Sequence, residues 1–226
     1  MTAEFPLSQV KPFFHPPSTP DPPSIQVTID TLHLQPHIEG GFFVETDRDP
    51  LRIPNPFVNQ PPYTFQPDEP TVQEQASFPT RSASTSIIYL LSPSSPRGCF
   101  HRNRARTVHT LHRGRGRYVV IHADEAVKVE GKTKTKTKAR VEVFTVGKDV
   151  AKGEKLQWIV DGGKFKASYL LPDDEEGGKT SEGLLISETV IPGFEQYDHD
   201  FLRAETLSQL VTPEQEKEIS WLLRKD

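Results

Sequence analysis

From residue 81 to residue 191 the chain is a succession of short β-branched and aromatic runs with no helical period between them. The runs are SASTSIIYLL (82–91), GCFHRN (98–103), TVHTLHR (107–113), RYVVIHA (117–123), ARVEVFTVG (139–147), KLQWIVD (155–161), KFKASYLL (164–171) and LLISETVI (184–191). Each has the length of a strand, and turn chemistry such as RGRG, DGG and DDEEGGK separates them. GGFFVETD (40–47) reads as a further strand. About nine strands in succession without crossover helices predict an all-β antiparallel sandwich or barrel.

Proline marks the boundaries of this body. Of 21 prolines, seven precede residue 24 and eight fall between Pro50 and Pro79. Proline lacks the backbone donor that helices and ladders need, so residues 1–23 are expected to be a mobile or surface-draped extension. The β domain then spans 24–211, with Ser24–Leu34 open between strand and short helix. A long proline-rich loop at 49–80 carries Phe57, Tyr63 and Phe65, which would pack it on the body; structureless loops of this length are uncommon. GKTKTKTKAR (131–140) reads as a solvated hairpin tip or a weak dock for an anionic surface. Residues 212–226 close the chain as a helix, with Thr212 as N-cap, Pro213 at the first helical position and Gln215 completing a capping box.

Composition narrows the class. With 226 residues, 34 % hydrophobic and 26 % charged, the chain is long enough for one sizeable core. No apolar run approaches the roughly 18 residues of a membrane span. The opening MTAEFPLSQVKPFF has neither a basic region nor an unbroken apolar one, so no secretory signal is expected. A single cysteine, Cys99, makes no internal disulfide and fits a reducing, cytoplasmic setting. A net charge of -4 argues against a general nucleic-acid binder.

Six blocks in fixed order then point to a family: LQPHIEGGFFVET (34–46), RSASTSIIYLL (81–91), FHR (100–102), Gly114, GEKLQWIV (153–160) and TVIPGFEQYDHDFL (189–202). Together they resemble the small cupin family catalogued as a domain of unknown function, with its PHPEGG, RS-x-x-T and PGF blocks. The resemblance implies a double-stranded β-helix, or jelly roll, commonly a homodimer, related in fold to sugar-nucleotide epimerases. It also implies where a cupin metal would be held. Placed on that pattern, Cys99 takes the first histidine position and His101 the second. Arg106-Thr107 takes the carboxylate position, and Phe165 or Lys166 the second-motif position. One strong ligand of four survives, so no metal and no other cofactor is expected. His109 and His112, three residues apart, point to opposite faces of one strand.

The resemblance puts His101 on a barrel-facing position, as the candidate general acid or base; its alternative is a hydrogen-bonded core histidine. Glu39 is its candidate carboxylate partner, or else satisfies the donors of the Gly40-Gly41 turn. From Gln75 to Ala123 there is no Asp or Glu but eight arginines, a concentration suited to capturing an anion. Arg81, in the RS-x-x-T block, is the arginine singled out for the pocket. Period-two alternation adds Thr85 and Tyr89 to the candidate lining, with Cys99, Thr110 and His112; Gln157 and Tyr169 join them from later strands. Asp198-His199 reads as dimer or end-cap structure. These residues predict a metal-independent cupin that isomerises, epimerises or cyclises a small, oxygen-rich, anionic metabolite. The alternatives are a non-catalytic small-molecule binder and a metal-dependent oxygenase.

Overall fold

A computed structural model of the chain describes residues 6–15, 21–58, 60, 63, 78–130, 133–173 and 180–225. The ambiguous segment is a helix, α1 (Pro23–Leu32), started by its proline and ended at His33 in the left-handed conformation. The strands follow: β1 (Gln35–Pro36), β2 (Phe42–Arg48), β3 (Arg52–Pro54), β4 (Thr80–Ser82), β5 (Thr85–Leu91), β6 (Arg97–Asn103), β7 (Arg106–Arg113) and β8 (Gly116–Ile121). After them come β9 (Val127–Glu130), β10 (Thr133–Lys136), β11 (Val141–Val146), β12 (Gln157–Val160), β13 (Phe165–Leu170), β14 (Leu184–Ile191) and β15 (His199–Phe201). Two helices end the chain, α2 (Ala204–Leu210) and α3 (Pro213–Ile219).

The main strands form two antiparallel sheets, ordered β1-β2-β5-β14-β7-β12 and β11-β8-β13-β6-β15. Sequence neighbours β5 and β6, or β6 and β7, lie in opposite sheets, which is the jelly-roll connection the sequence predicts. The Lys/Thr stretch begins in the β9–β10 ribbon, and its residues 131 and 132 lie outside those described. No described helix is long and apolar enough to cross a membrane.

Apolar side chains close three layers. Between the sheets lie Tyr89, Leu91, Tyr118, Trp158, Leu170, Leu184 and Ile186. Ile25 of α1 and Leu34 pack on Leu90 at the outer face of the six-stranded sheet. The five-stranded sheet turns Phe100, Val119, Phe165 and Tyr169 outward against Leu207, Val211, Ile219 and Leu222. That second cover explains why β13 is buried at every position. The α3 cap is reciprocal: Gln215 N–H donates to Thr212 Oγ1 at 3.3 Å, and Thr212 N–H to Gln215 Oε1 at 3.0 Å, a device worth about 1 kcal/mol. Helix α2, too short to show an apolar period, has no counterpart in the sequence reading.

The proline-rich regions are used as covers. Val10 and Phe14 of the N-terminal segment are buried, Val10 under the C-terminal helices and Phe14 in the inter-sheet core. Phe57 lies against the Arg81 guanidinium at 5.0 Å, and Tyr63 against Arg102 and Arg104, each at 4.0 Å. Phe65 falls outside the described residues.

Topology gives four arginines of the acid-free stretch close carboxylate partners. Arg102 meets Asp200 at 2.9 Å, Arg115 meets Glu154 at 2.5 Å, and Arg81 and Arg104 both close on Asp198, at 2.5 and 3.0 Å. Arg81 is fully buried and also donates to the Gly193 carbonyl through Nε (3.1 Å) and Nη2 (2.6 Å). It is therefore committed to anchoring the segment 193–198, not to a ligand. Asp198→Ala leaves two guanidiniums without their shared carboxylate. It should lower the unfolding free energy by about 3–5 kcal/mol, read from the urea midpoint; a loss below about 1 kcal/mol would show that the cluster is not a structural anchor.

Candidate functional site

The PHIEGG turn sets the first wall of the site. Gly40 N–H donates to the His37 carbonyl and His37 N–H to the Gly41 carbonyl, both at 3.0 Å. Gly40 has φ +101°, and a Cβ there would lie 2.1 Å from the Arg97 carbonyl oxygen, so only glycine fits. Cys99 N–H donates to Glu39 O at 2.7 Å, and Tyr89 Oη–H to Gly40 O at 2.7 Å. The turn is thus fastened to β6 and β5, with Glu39 buried beneath it.

Three imidazoles surround that carboxylate. His199 Nε2 donates to Glu39 Oε1 at 2.8 Å, while His101 Nδ1 and His37 Nδ1 lie 3.3 and 3.5 Å from Oε2. The His101 and His199 rings stack at 5.4 Å and 15°. His101 Nδ1–H donates to the Cys99 carbonyl at 2.9 Å, which leaves the basic lone pair on Nε2. Burial pushes the His101 imidazolium down to about 3, against the pull of Glu39 and with help from Lys166 and His199. Burial alone would raise Glu39, but His101, His37 and the hydrogen bond from His199 outweigh it and hold the carboxyl well below its usual range. At neutral pH the centre is a carboxylate beside a neutral His101.

A second polar cluster adjoins it. Lys166 on β13 stands opposite His101 in the ladder. Its Nζ donates to Glu188 Oε2 at 2.6 Å and to His109 Nε2 at 2.8 Å. The His109 ring stacks on Trp158 at 5.1 Å and 10°. Burial, then the Lys166 charge, lowers the His109 value.

The strand faces differ from the alternation expected. On β7, Thr107 and His109 are buried while His112 is exposed; on β12, Trp158 is buried while Gln157 is exposed and donates to Thr110 at 3.3 Å. Thr110, His112 and Gln157 therefore lie on the outer face, because a choice of parity wrong by one residue moves a whole strand set across the sheet. On β6, Gly98 faces Ser168 and His101 faces Lys166, so three steps match two across a β-bulge. Bulges re-aim side chains, and Cys99 in this one borders a cleft. Thr85 Oγ1 accepts from Phe194 N–H at 2.9 Å, a structural task. Tyr169 turns to the helical layer, edge-on to Trp221 at 5.2 Å.

Of the expected site residues, Glu39, Tyr89, Cys99 and His101 come together and Tyr169 borders the same cleft; Arg81, Thr85, Thr110, His112 and Gln157 do not join them. His37, His199, Lys166, Glu188 and His109 complete the polar interior. For His199 the signal was its place in the PGF block, read as an end cap. The cleft, of about 620 Å³, has Glu39 and Cys99 in its wall, with Phe14, Arg97, Trp221 and Arg224 also bordering it. Burial raises the Cys99 value, so it remains a thiol. A larger hollow of about 830 Å³ beside Arg113 and Glu154 touches none of these site residues.

Lys166, with Phe165 a candidate for the second-motif position, stands across the ladder from His101 and is committed to Glu188 and His109. A different donor set is nevertheless present, since ligand atoms of Glu39, His101 and His199 lie within 4.8 Å of one another. Two imidazoles and a carboxylate suit a transition metal in type.

Two antiparallel sheets in jelly-roll order around a buried histidine–carboxylate centre define a cupin. The chain belongs to the Cupin superfamily (DUF985), whose family model matches residues 26–202. It is 42 % identical over 207 residues to the uncharacterised protein YML079W of Saccharomyces cerevisiae, covering 90 % of this chain and 88 % of that one. Among solved structures it is similar to a hypothetical protein from Leishmania major, with TM-score 0.62, 25 % identity and coverage of 88 % and 98 % of the two chains. It also shares its fold with protein SO0799 of Shewanella oneidensis, at TM-score 0.61 and 21 % identity, covering 92 % of this chain and 100 % of that one.

Both His101 and Glu39 titrate lower in the fold than in the unfolded chain, where 6.5 and 4.5 are the reference values. As pH falls below 6.5 the unfolded chain takes up the His101 proton first. Stability present above that value is therefore lost toward pH 3, at up to about 1.4 kcal/mol per pH unit from this residue. His101→Gln should flatten the wild-type fall in urea-unfolding free energy between pH 6 and pH 4. Identical slopes in the two proteins would show that His101 is not held neutral by the fold.

Proposed function

We propose that this chain is a proton-transfer cupin that isomerises, epimerises or cyclises a small oxygen-rich anion, with the Glu39–His101 pair moving the proton. One observation carries the reading: a buried carboxylate borders an open cleft and has three imidazoles within 3.5 Å. Glu39 meets the ligand and accepts a proton from carbon next to a carbonyl. The electron pair left behind moves onto the carbonyl oxygen as an enolate, and the proton returns to carbon or oxygen with no net oxidation. The hydrogen bond from His199 and the neighbouring His101 favour the ionised form of Glu39, so that it meets the ligand as a carboxylate. The substrate's carbonyl, not a second protein acid, supplies the electron sink.

The test is deuterium exchange. Purified protein in D2O is incubated with a panel of sugar phosphates and 2-oxo acids, and loss of the carbon-bound proton signal is followed by NMR. Glu39→Gln and His101→Ala should each slow exchange by about 10²–10⁴-fold with the circular dichroism spectrum kept. Exchange unaffected by both substitutions would remove the pair from the chemistry. No exchange with any compound would favour a non-catalytic binder.

The donor set of Glu39, His101 and His199 favours a second reading, in which the same centre holds a transition metal. Elemental analysis separates the two. A stoichiometric metal that disappears in His199→Ala supports the second reading, while a metal-free protein that still exchanges deuterium supports the first.

A further inference from the structure

The cleft beside Glu39 is assembled from distant parts of the chain. Residues 12–15 of the N-terminal segment, the turn at 37–40, residues 94–99 and the C-terminal residues 221–225 all contribute to it. Two hydrogen bonds tie these parts together. Arg97 Nη1 donates to the Trp221 carbonyl, and Trp221 Nε1 to the Val10 carbonyl at 3.3 Å. The opening is therefore a built feature of the fold.

Its charge is lopsided. Among the described lining residues Arg97, Arg224 and Lys225 are cations, and Glu39 is the one carboxylate, already surrounded by imidazoles. The protein as a whole carries -4, so the cleft opposes the net charge. Its walls are also aromatic, formed by Phe13, Phe14, Tyr169 and Trp221. Neutral hydrogen-bonding side chains are present as well, in His15, His37 and Tyr169. Ser94 and Ser95 supply hydroxyls, and Ser95 Oγ already accepts from Gly41 N–H at 2.8 Å. A cationic ligand would be repelled from its rim, and a neutral polyol would bring its guanidiniums no counter-charge.

We propose that this cleft is a subsite for an anion carried on a flat apolar ring, a ring-bearing carboxylate or phosphate, with Arg97 and Arg224 as its charge partners and Trp221 as its stacking wall. The assignment deepens the proton-transfer reading and rests on it for the role of Glu39 as the reacting wall. It replaces Arg81, which the fold has committed to Asp198. A guanidinium offers five donors in a planar fork, so the one Arg97 gives to Trp221 does not exhaust it. The volume of about 620 Å³ suits a ring-sized metabolite. Cations placed at the rim would also oppose the build-up of negative charge when the ligand loses a proton to Glu39.

Isothermal titration with benzoate, phenyl phosphate, benzyl alcohol and benzylamine tests this directly, with Trp221 fluorescence as a second readout. Benzoate or phenyl phosphate should bind saturably, and benzyl alcohol and benzylamine at least roughly tenfold more weakly, the scale of a charge-assisted contact. Preference between the two anions tells a carboxylate source from a phosphate source, and either supports the subsite. Arg97→Gln and Arg224→Ala should each weaken the preferred anion by about fivefold or more. Arg224 is exposed and so can be replaced even if Arg97→Gln disturbs the C-terminal segment. Equal binding of benzyl alcohol, unchanged affinity in Arg224→Ala, or no saturable binding of either anion would overturn the assignment. Anion binding without deuterium exchange in any compound would sink the proton-transfer reading and leave the subsite standing. Exchange with intact anion affinity in both arginine variants would sink the subsite alone.

Discussion

Asp198 is the point on which the geometry of the centre depends. Its two oxygens take Arg81 from β4 and Arg104 from the turn after β6, at 2.5 and 3.0 Å. Arg81 in turn holds the Gly193 carbonyl, so the PGF segment is fixed at both ends. The next residue, His199, begins β15 and reaches Glu39 at 2.8 Å. A buried ion cluster is seldom the most stabilising way to fill a core, because desolvation consumes most of the attraction. Here it supplies direction: it fixes where a non-repetitive segment runs, and His199 inherits that placement.

The fold was legible because its signals are local. Strand-length β-branched runs and the Thr212–Gln215 cap each report on a few neighbouring residues, and both are present in the structure at those places. Cupin membership was legible because six blocks recur in order. The site was only half legible, because its geometry is a matter of parity and pairing. Alternation groups Thr110 with His112, yet nothing in their spacing says which face is inside. The bulge between Gly98 and His101 breaks alternation altogether. Arg81 looked like an anion binder because its acidic partner lies over a hundred positions later in the sequence. For Arg81, Arg102, Arg104 and Arg115 the local charge segregation is the imprint of strands that find their counter-ions in later segments.

The interior also shows why one histidine–carboxylate cluster is a candidate site and its neighbour is not. Both centres pair a buried glutamate with imidazole, and both stand between the same two sheets. At Glu188 the neighbouring Lys166 donates to glutamate and histidine together, so the charges close on themselves and Trp158 covers the ring. At Glu39 no ammonium takes the carboxylate. Its partners are imidazoles, and its side chain borders the cleft. Lys166 links the two clusters, since its charge helps to keep His101 neutral. A fixed cation thus stands across the ladder from His101, and the adjoining Glu39 carboxylate is left with imidazole partners and a side open to the cleft.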